Sequence, residues 1–328
     1  MKSTPIILDV DAGVDDTLAI IFSLLSPALR VRAITTVAGN VPVSACTRNV
    51  LLTLHLLSGR IRTLPIVAQG ASKPLKRKLF TAPEVHGSDG IGNASRLYDT
   101  PPLAASSRSA VEVILDVLRR EPNTTVVATG PLTNIAAAIA ADKATMKRAR
   151  EIVVMGGAFH GMHNTGPVAE FNFYVDPEAA DCVMRSGLPV RLIPLNVTEQ
   201  CVLTPQDLRS VSDPIVRRYL QRITKVYFDF HKRTINVAGG YLHDPLAAGS
   251  VAFPSLLKFR RGYVSVEWTG TYSRGLSIFF PQLAIRRNAK LPDWVKRDLR
   301  RAPTVRVATS VDANSFKKKF LKTVRPAR

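Results

Sequence analysis

The sequence predicts an α/β fold, a single domain with a mainly parallel central sheet flanked by helices. Apolar runs of strand length alternate with stretches of helical periodicity from one end of the chain to the other, the pattern left by repeated β-α-β connections. Hydrophobic residues fill 46% of the 328 positions, enough to cover both faces of such a sheet. No Pro-, Gly- or Ser-rich linker divides the alternation and no solenoid-type repeat is visible, so residues 1–328 are expected to form one unit.

Residues 5–10 form an apolar run of strand length, and 15–26 carry apolar residues on most faces, as in a buried helix. A second strand at 31–37 ends in Ala38-Gly39-Asn40, and 43–57 is again helical in period. After a short strand at 66–69, residues 71–95 mix Gly, Pro and charge without periodicity. They read as a long loop, and long loops in compact domains are often functional lids. Helix 109–120 leads to strand 124–129, and Gly130-Pro131-Leu132-Thr133-Asn134 turns into an Ala-rich helix at 135–142. Strand 151–155 runs into Gly156-Gly157, helix 177–186 into strand 190–194, and a long helix spans 213–233. Gly239-Gly240 precedes a helix at 243–250. Residues 304–310 read as a late strand, followed by a short C-terminal helix within a basic tail from about 311 to 328.

The net charge is +20, unevenly spread: from Lys258 onward there are 18 Lys/Arg against 4 Asp/Glu. Such an excess raises the thought of a polyanion, but no aromatic-interleaved RNA motif or DNA-reading motif accompanies it. A solvated basic surface is the favoured reading, and nucleic acid a weaker expectation. Cys46, Cys182 and Cys201 form neither a zinc pattern nor a disulfide framework, which fits a cytoplasmic setting. Neither a membrane span nor a signal peptide is visible.

Asp9, Asp11, Asp15 and Asp16 place four carboxylates within eight residues, between the first strand and the first helix. Carboxylates this close raise one another's pKa unless a cation lies among them, and such oxygen clusters hold hard divalent cations. Ligands of open α/β sheets collect at the carboxyl ends of the strands, where this cluster falls. Asn40, Thr129 and Met155 stand at the ends of other expected strands and belong to the same edge. Any one alone reads as a turn or cap; together they indicate a site. In the Gly/Pro-bounded segment 164–172, Asn164, Glu170 and Asn172 offer the donors and acceptors that a polyhydroxyl ligand needs, a surface loop being the plain alternative. His243-Asp244-Pro245 opens a helix, so Asp244 is either an N-cap or a further metal ligand, and His243 a candidate general acid. His86, in the long loop, lines a pocket or is solvated.

Five blocks in order resemble the inosine–uridine nucleoside hydrolase family: Asp9-Val10-Asp11-Ala12-Gly13-Val14-Asp15-Asp16; Val37-Ala38-Gly39-Asn40; Ala128-Thr129-Gly130-Pro131-Leu132-Thr133-Asn134; Val154-Met155-Gly156-Gly157 through Pro167-Val168-Ala169-Glu170-Phe171-Asn172; and Leu242-His243-Asp244-Pro245. The resemblance implies the Rossmann-like fold of that family and calcium-dependent hydrolysis of ribonucleosides to ribose and free base. It implies Ca²⁺ held by Asp11, Asp16, Asp244 and the Thr129 carbonyl, with Asp11 as the base acting on a metal-bound water and His243 as the leaving-group acid. Asp15, Asn172 and Asp244 would grip the 2′- and 3′-hydroxyls; Asn164, Glu170 and Met155 would surround the 5′-hydroxyl; Asn40 would stand beside metal and ribose. His86 falls where members that accept pyrimidines carry a pocket histidine, which tilts the expectation toward pyrimidine or broad specificity. Tyr227, Phe228, His231 and Arg233, on the long helix, are candidates for the base pocket, helix packing being the alternative. A homodimer or homotetramer follows by resemblance only. One departure is Ala12, where the family usually has Pro; Ala keeps the carboxylates and is expected to cost only rigidity.

Two rival readings exist. A haloacid-dehalogenase-like phosphatase shares the strand-end Asp9-Val10-Asp11 pattern, but needs a downstream Lys and a second acidic pair that the chain does not supply convincingly. A polyanion- or RNA-binding protein would explain the charge, yet gives no reason for four clustered carboxylates.

Overall fold

The structure, a computed structural model, describes residues 3–61, 63–287 and 291–325. Its strands are β1 (Thr4–Val10), β2 (Leu29–Thr36), β3 (Ile66–Gln69), β4 (Thr125–Ala128), β5 (Ile152–Met155), β6 (Val190–Ile193), β7 (Val202–Leu203), β8 (Gly240–Tyr241), β9 (Leu257–Val266), β10 (Ser277–Pro281) and β11 (Val305–Val311). Nine of them form one sheet in the order β10-β9-β11-β6-β5-β4-β1-β2-β3, while β7 and β8 pair separately. From β11 to β3 all neighbours are parallel; β9 is antiparallel to both β11 and β10.

Strand alternation divides the interior into two apolar layers. Ile6, Leu8, Val10, Val127 and Val153 face one layer; Ile7, Val126, Ala128, Ile152 and Val154 face the other. This explains why the central strands read as continuous apolar runs: both faces are covered. The helix Val14–Leu25 is buried from Val14 to Ser23 because it lies between the sheet and two further helices, His243–Ala252 and Ala313–Thr323. The helix Pro214–Ile235 starts at Asp213, whose carboxylate accepts from the amides of Ile215 and Val216, and ends at Asn236 in the left-handed region.

The elements expected from sequence are present, and several others accompany or alter them. The loop from 71 contains a helical turn, Pro83–His86, and a 3₁₀ turn, Ser95–Leu97. The Ala-rich helix is longer, Thr133–Met146, and breaks at Asp142. The antiparallel pair β9–β10 has no counterpart in the sequence reading, because Lys258, Arg260, Arg261 and Gly262 interrupt the apolar run of β9. The short helix expected in the basic segment after 311 is present as Ala313–Thr323. It buries Phe316 and Phe320 completely, both rings lying against Phe22 at centroid distances of 6.3 and 5.9 Å.

Among the described residues, no helix is long and apolar enough to cross a membrane. Truncation of Phe316 to Ala is expected to cost about 3–5 kcal/mol, seen as a lower denaturant midpoint with an unchanged slope.

Candidate active site

The carboxyl ends of β1, β2, β4 and β5 open on a cavity of about 630 Å³. Every metal- and ribose-site residue implied by the resemblance lines it, with His86 and His243, except Asp16, which is fully buried beneath. The scattered blocks therefore converge, as the parallel topology requires.

The acidic cluster is held by neutral donors. Asp9, at the end of β1, accepts from Thr35 Oγ1 at 2.6 Å and Asn134 Nδ2 at 2.8 Å. Asp11 accepts from the Asn40 amide at 2.8 Å. Asp16 accepts from Thr129 Oγ1 at 2.7 Å, the Gly13 amide at 2.9 Å and Asn40 Nδ2 at 3.2 Å. Asp15 and Asp16 lie in the first turn of the helix Val14–Leu25, where the helix end favours negative charge. Three oxygens stay buried and unpartnered: Asp9 Oδ2, Asp11 Oδ1 and Asp15 Oδ1.

Burial dominates the titration of this group. It raises Asp9 to about 7 against the hydrogen bonds of Thr35 and Asn134, and Asp15 to about 8, with Asp16 adding repulsion. Asp11 and Asp244 are pushed well above the carboxylate range by burial and then by their acidic neighbours, and Asp16 is raised by burial. Asp15, Asp16 and Asp244 each offer an oxygen within 4.8 Å of the others, a group that could hold a metal ion. This trio shares Asp16 and Asp244 with the expected set but has Asp15, expected on the ribose, in place of Asp11.

Asn172 donates through Nδ2 to the Thr129 carbonyl at 2.7 Å and to the Met155 carbonyl at 3.2 Å, tying β4 to β5 across the cavity floor. The Glu170 carboxylate caps the short helix Phe171–Val175, accepting from Asn172 N, Phe173 N and Gly157 N; burial nevertheless raises it to about 7. Asn164 is exposed, accepts from Phe171 N and lines the cavity. The helix carrying Asp244 is capped at Leu242, so Asp244 is not the N-cap but sits in the first turn beside His243. Burial lowers both His86 and His243 to about 3, with other histidines contributing second. His86 Nδ1 lies 3.8 Å from Asp15 Oδ1 but accepts from the Val14 amide, so the two are not an ion pair.

Of the long-helix candidates, Tyr227 and His231 line the cavity; Phe228 packs inside and Arg233 is solvated. Sequence reasoning missed Phe80, Glu199, Phe230 and Tyr241, which also line it. Tyr241 belongs to a two-residue strand and Phe80 to the aperiodic loop, so neither had a pattern to reveal it. Ala12 has φ of +23°, which proline, fixed near −65°, cannot adopt.

Comparison with known proteins agrees with this geometry. A family model described as inosine-uridine preferring nucleoside hydrolase matches residues 6–318. The chain is 37% identical to the probable uridine nucleosidase 2 of Arabidopsis thaliana over 313 residues, covering 94% of this chain and 93% of that protein. It is 38% identical to the pyrimidine-specific ribonucleoside hydrolase RihA of Escherichia coli over 279 residues, covering 84% and 88%. Among solved structures, the plant nucleoside hydrolase PpNRh1 superimposes with a TM-score of 0.90 at 31% identity, over 99% of this chain and 100% of that one. Fold and relatives together define a hydrolase that cleaves the N-glycosyl bond of ribonucleosides. The phosphatase reading of the strand-end carboxylates is set aside accordingly. Within that class the chain belongs to the inosine-uridine preferring nucleoside hydrolase family.

Gly39 provides the close approach that orients Asp11: a Cβ there would lie 2.1 Å from Asp11 Oδ2. Gly39→Ala is expected to lower kcat/KM by about 10²-fold through displacement of that carboxylate, with the thermal midpoint little changed. Wild-type turnover in Gly39→Ala would show that Asp11 needs no such placement.

Proposed function

We propose that this enzyme hydrolyses ribonucleosides in a calcium-dependent reaction with a pyrimidine or broad base preference. The observation that supports it is the buried acidic cluster in which Asp11 Oδ1 and Asp15 Oδ1 lack any protein partner. Buried polar atoms in folded proteins are as a rule satisfied, and an all-oxygen donor set with several carboxylates suits Ca²⁺. Asp11, Asp16, Asp244 and the Thr129 carbonyl would hold the ion, with Asp15 close enough to join them. When bound, the cation would supply the charge that keeps these carboxylates ionised and makes the attacking water more acidic.

The chain's own groups then divide the work. Asp11, fixed by the Asn40 amide through one oxygen, has the other free to take the proton of the water that attacks C1′. The C1′–N bond breaks through an oxocarbenium-like state and its electron pair leaves with the base. Asp15, Asn172 and Asp244 grip the 2′- and 3′-hydroxyls, and Asn164, Glu170 and Met155 enclose the 5′-hydroxyl. Asn40 holds Asp11 and Asp16 at once, and His86 and His243 face the base, His243 assisting its departure. The same reading has one domain acting as a homodimer or homotetramer in the cytoplasm; three cysteines left unpaired fit a reducing compartment.

Asp11→Ala is expected to lose about 10²–10⁴ in kcat while keeping the far-UV spectrum and the denaturant midpoint. Calorimetric titration of chelator-treated protein should show one Ca²⁺ per subunit, and activity on uridine should vanish with chelator and return with Ca²⁺. Full activity in the metal-free protein would end the calcium assignment.

A further inference from the structure

The cavity wall facing the carboxylates is a run of rings in the order His86, Tyr227, His231, Tyr241, His243. His86 stacks on Tyr227 at 5.7 Å, Tyr227 meets His231 edge-on at 4.4 Å, His231 meets Tyr241 at 5.1 Å, and Tyr241 meets His243 at 5.3 Å. All five line the cavity. In each histidine Nδ1 is committed to a protein group, and in His86 and His231 that commitment decides what Nε2 can do.

His86 Nδ1 accepts from the Val14 amide at 3.1 Å. An accepting nitrogen carries no proton, so the proton is on Nε2 and His86 presents a donor. His231 Nδ1 lies 2.7 Å from the Tyr227 carbonyl, which can only accept. The proton is therefore on Nδ1, and the neutral ring, kept so by burial, presents a bare Nε2. His243 Nδ1 lies 2.7 Å from Thr198 Oγ1, whose other acceptor, the Leu195 carbonyl, is at the 3.5 Å limit of a hydrogen bond. Thr198 Oγ1 either donates to Nδ1, or donates to Leu195 and accepts from Nδ1, so this contact allows the His243 proton on either nitrogen. Among the described residues, none of the three Nε2 atoms has a protein partner and none is sealed from the surface, so all three open on the cavity.

We infer that this wall reads the adjacent carbonyl and ring N–H of uracil, with His86 donating to the carbonyl and His231 accepting from N3–H. The inference rests on the cavity being the nucleoside site with its base at this wall. Cytosine puts a bare ring nitrogen against the lone pair of His231. Hypoxanthine offers the same adjacent carbonyl and N–H as uracil and is accepted. Thr198, fully buried behind His243, holds its Nδ1 in either tautomer. A site built to hydrogen-bond a group discriminates strongly against an analogue that lacks it, because its own polar atoms are then left unpaired.

The test is kcat/KM of wild type on uridine, cytidine and N3-methyluridine, with p-nitrophenyl β-D-riboside as a substrate without an imide. Uridine should exceed both cytidine and N3-methyluridine by about tenfold or more. His231→Gln, whose amide can turn to offer either a donor or an acceptor, should raise cytidine until it lies within about threefold of uridine, a gain that misfolding cannot produce. Equal wild-type values for uridine and N3-methyluridine, or a uridine-to-cytidine ratio unchanged in His231→Gln, would overturn the inference and leave nucleoside hydrolysis intact. Release of ribose from none of the four substrates would instead overturn the reading of the cavity itself.

Discussion

The cost of burying five carboxylates together, away from water, is the constraint around which this molecule is arranged. Asp9, Asp11, Asp15, Asp16 and Asp244 are all nearly or wholly shielded from water, and burial raises every one of them. The chain has an excess of 20 positive charges, yet the residues lining the cavity include neither Lys nor Arg. The protein's own cations are spent elsewhere, as in the Arg191–Glu151–Arg306 set beneath the sheet. What stabilises the carboxylates from within is a shell of neutral N–H and O–H groups from Asn40, Thr129, Thr35, Asn134 and Gly13. These orient the oxygens without cancelling their charge.

That shell is a product of topology. Parallel strands deliver Asp9, Thr35 and Thr129 to one edge, and the turns that follow bring Asn40 and Asn134 over the same spot. Asn134 then donates to Asp9 and to the Thr36 carbonyl while accepting from the Ala71 amide. One side chain thus links the acidic centre, β2 and the root of the long loop that carries Phe80 and His86.

Much of this was legible in the sequence. Central strands buried on both faces announce themselves as unbroken apolar runs, and strand-end polar residues in a β-α-β chain share an edge by necessity. Legibility fails where the physics is local or solvated. The strand from Leu257 to Val266 faces water on part of its length, so charge masks its pattern. Tyr241 and Phe80 reach the cavity through loop geometry that no periodicity encodes. The role of Asp244 at a helix start was ambiguous for the same reason, since a cap and a ligand-binding carboxylate look identical until the amides are placed, and Glu170 lay in a segment that reads as a loop. In the fold, Glu170 is a cap and Asp244 is not.

The helix Ala313–Thr323 has a bearing on the acidic centre as well as on the core. Phe316 lies against Phe22 of the first helix and against Gly249, where a Cβ would meet its ring at 2.2 Å. Gly249 belongs to the helix that begins with His243 and Asp244. The helices that carry the two halves of the acidic centre are therefore packed on the same ring, so a loss of packing at Phe316 reaches the site as well as the core.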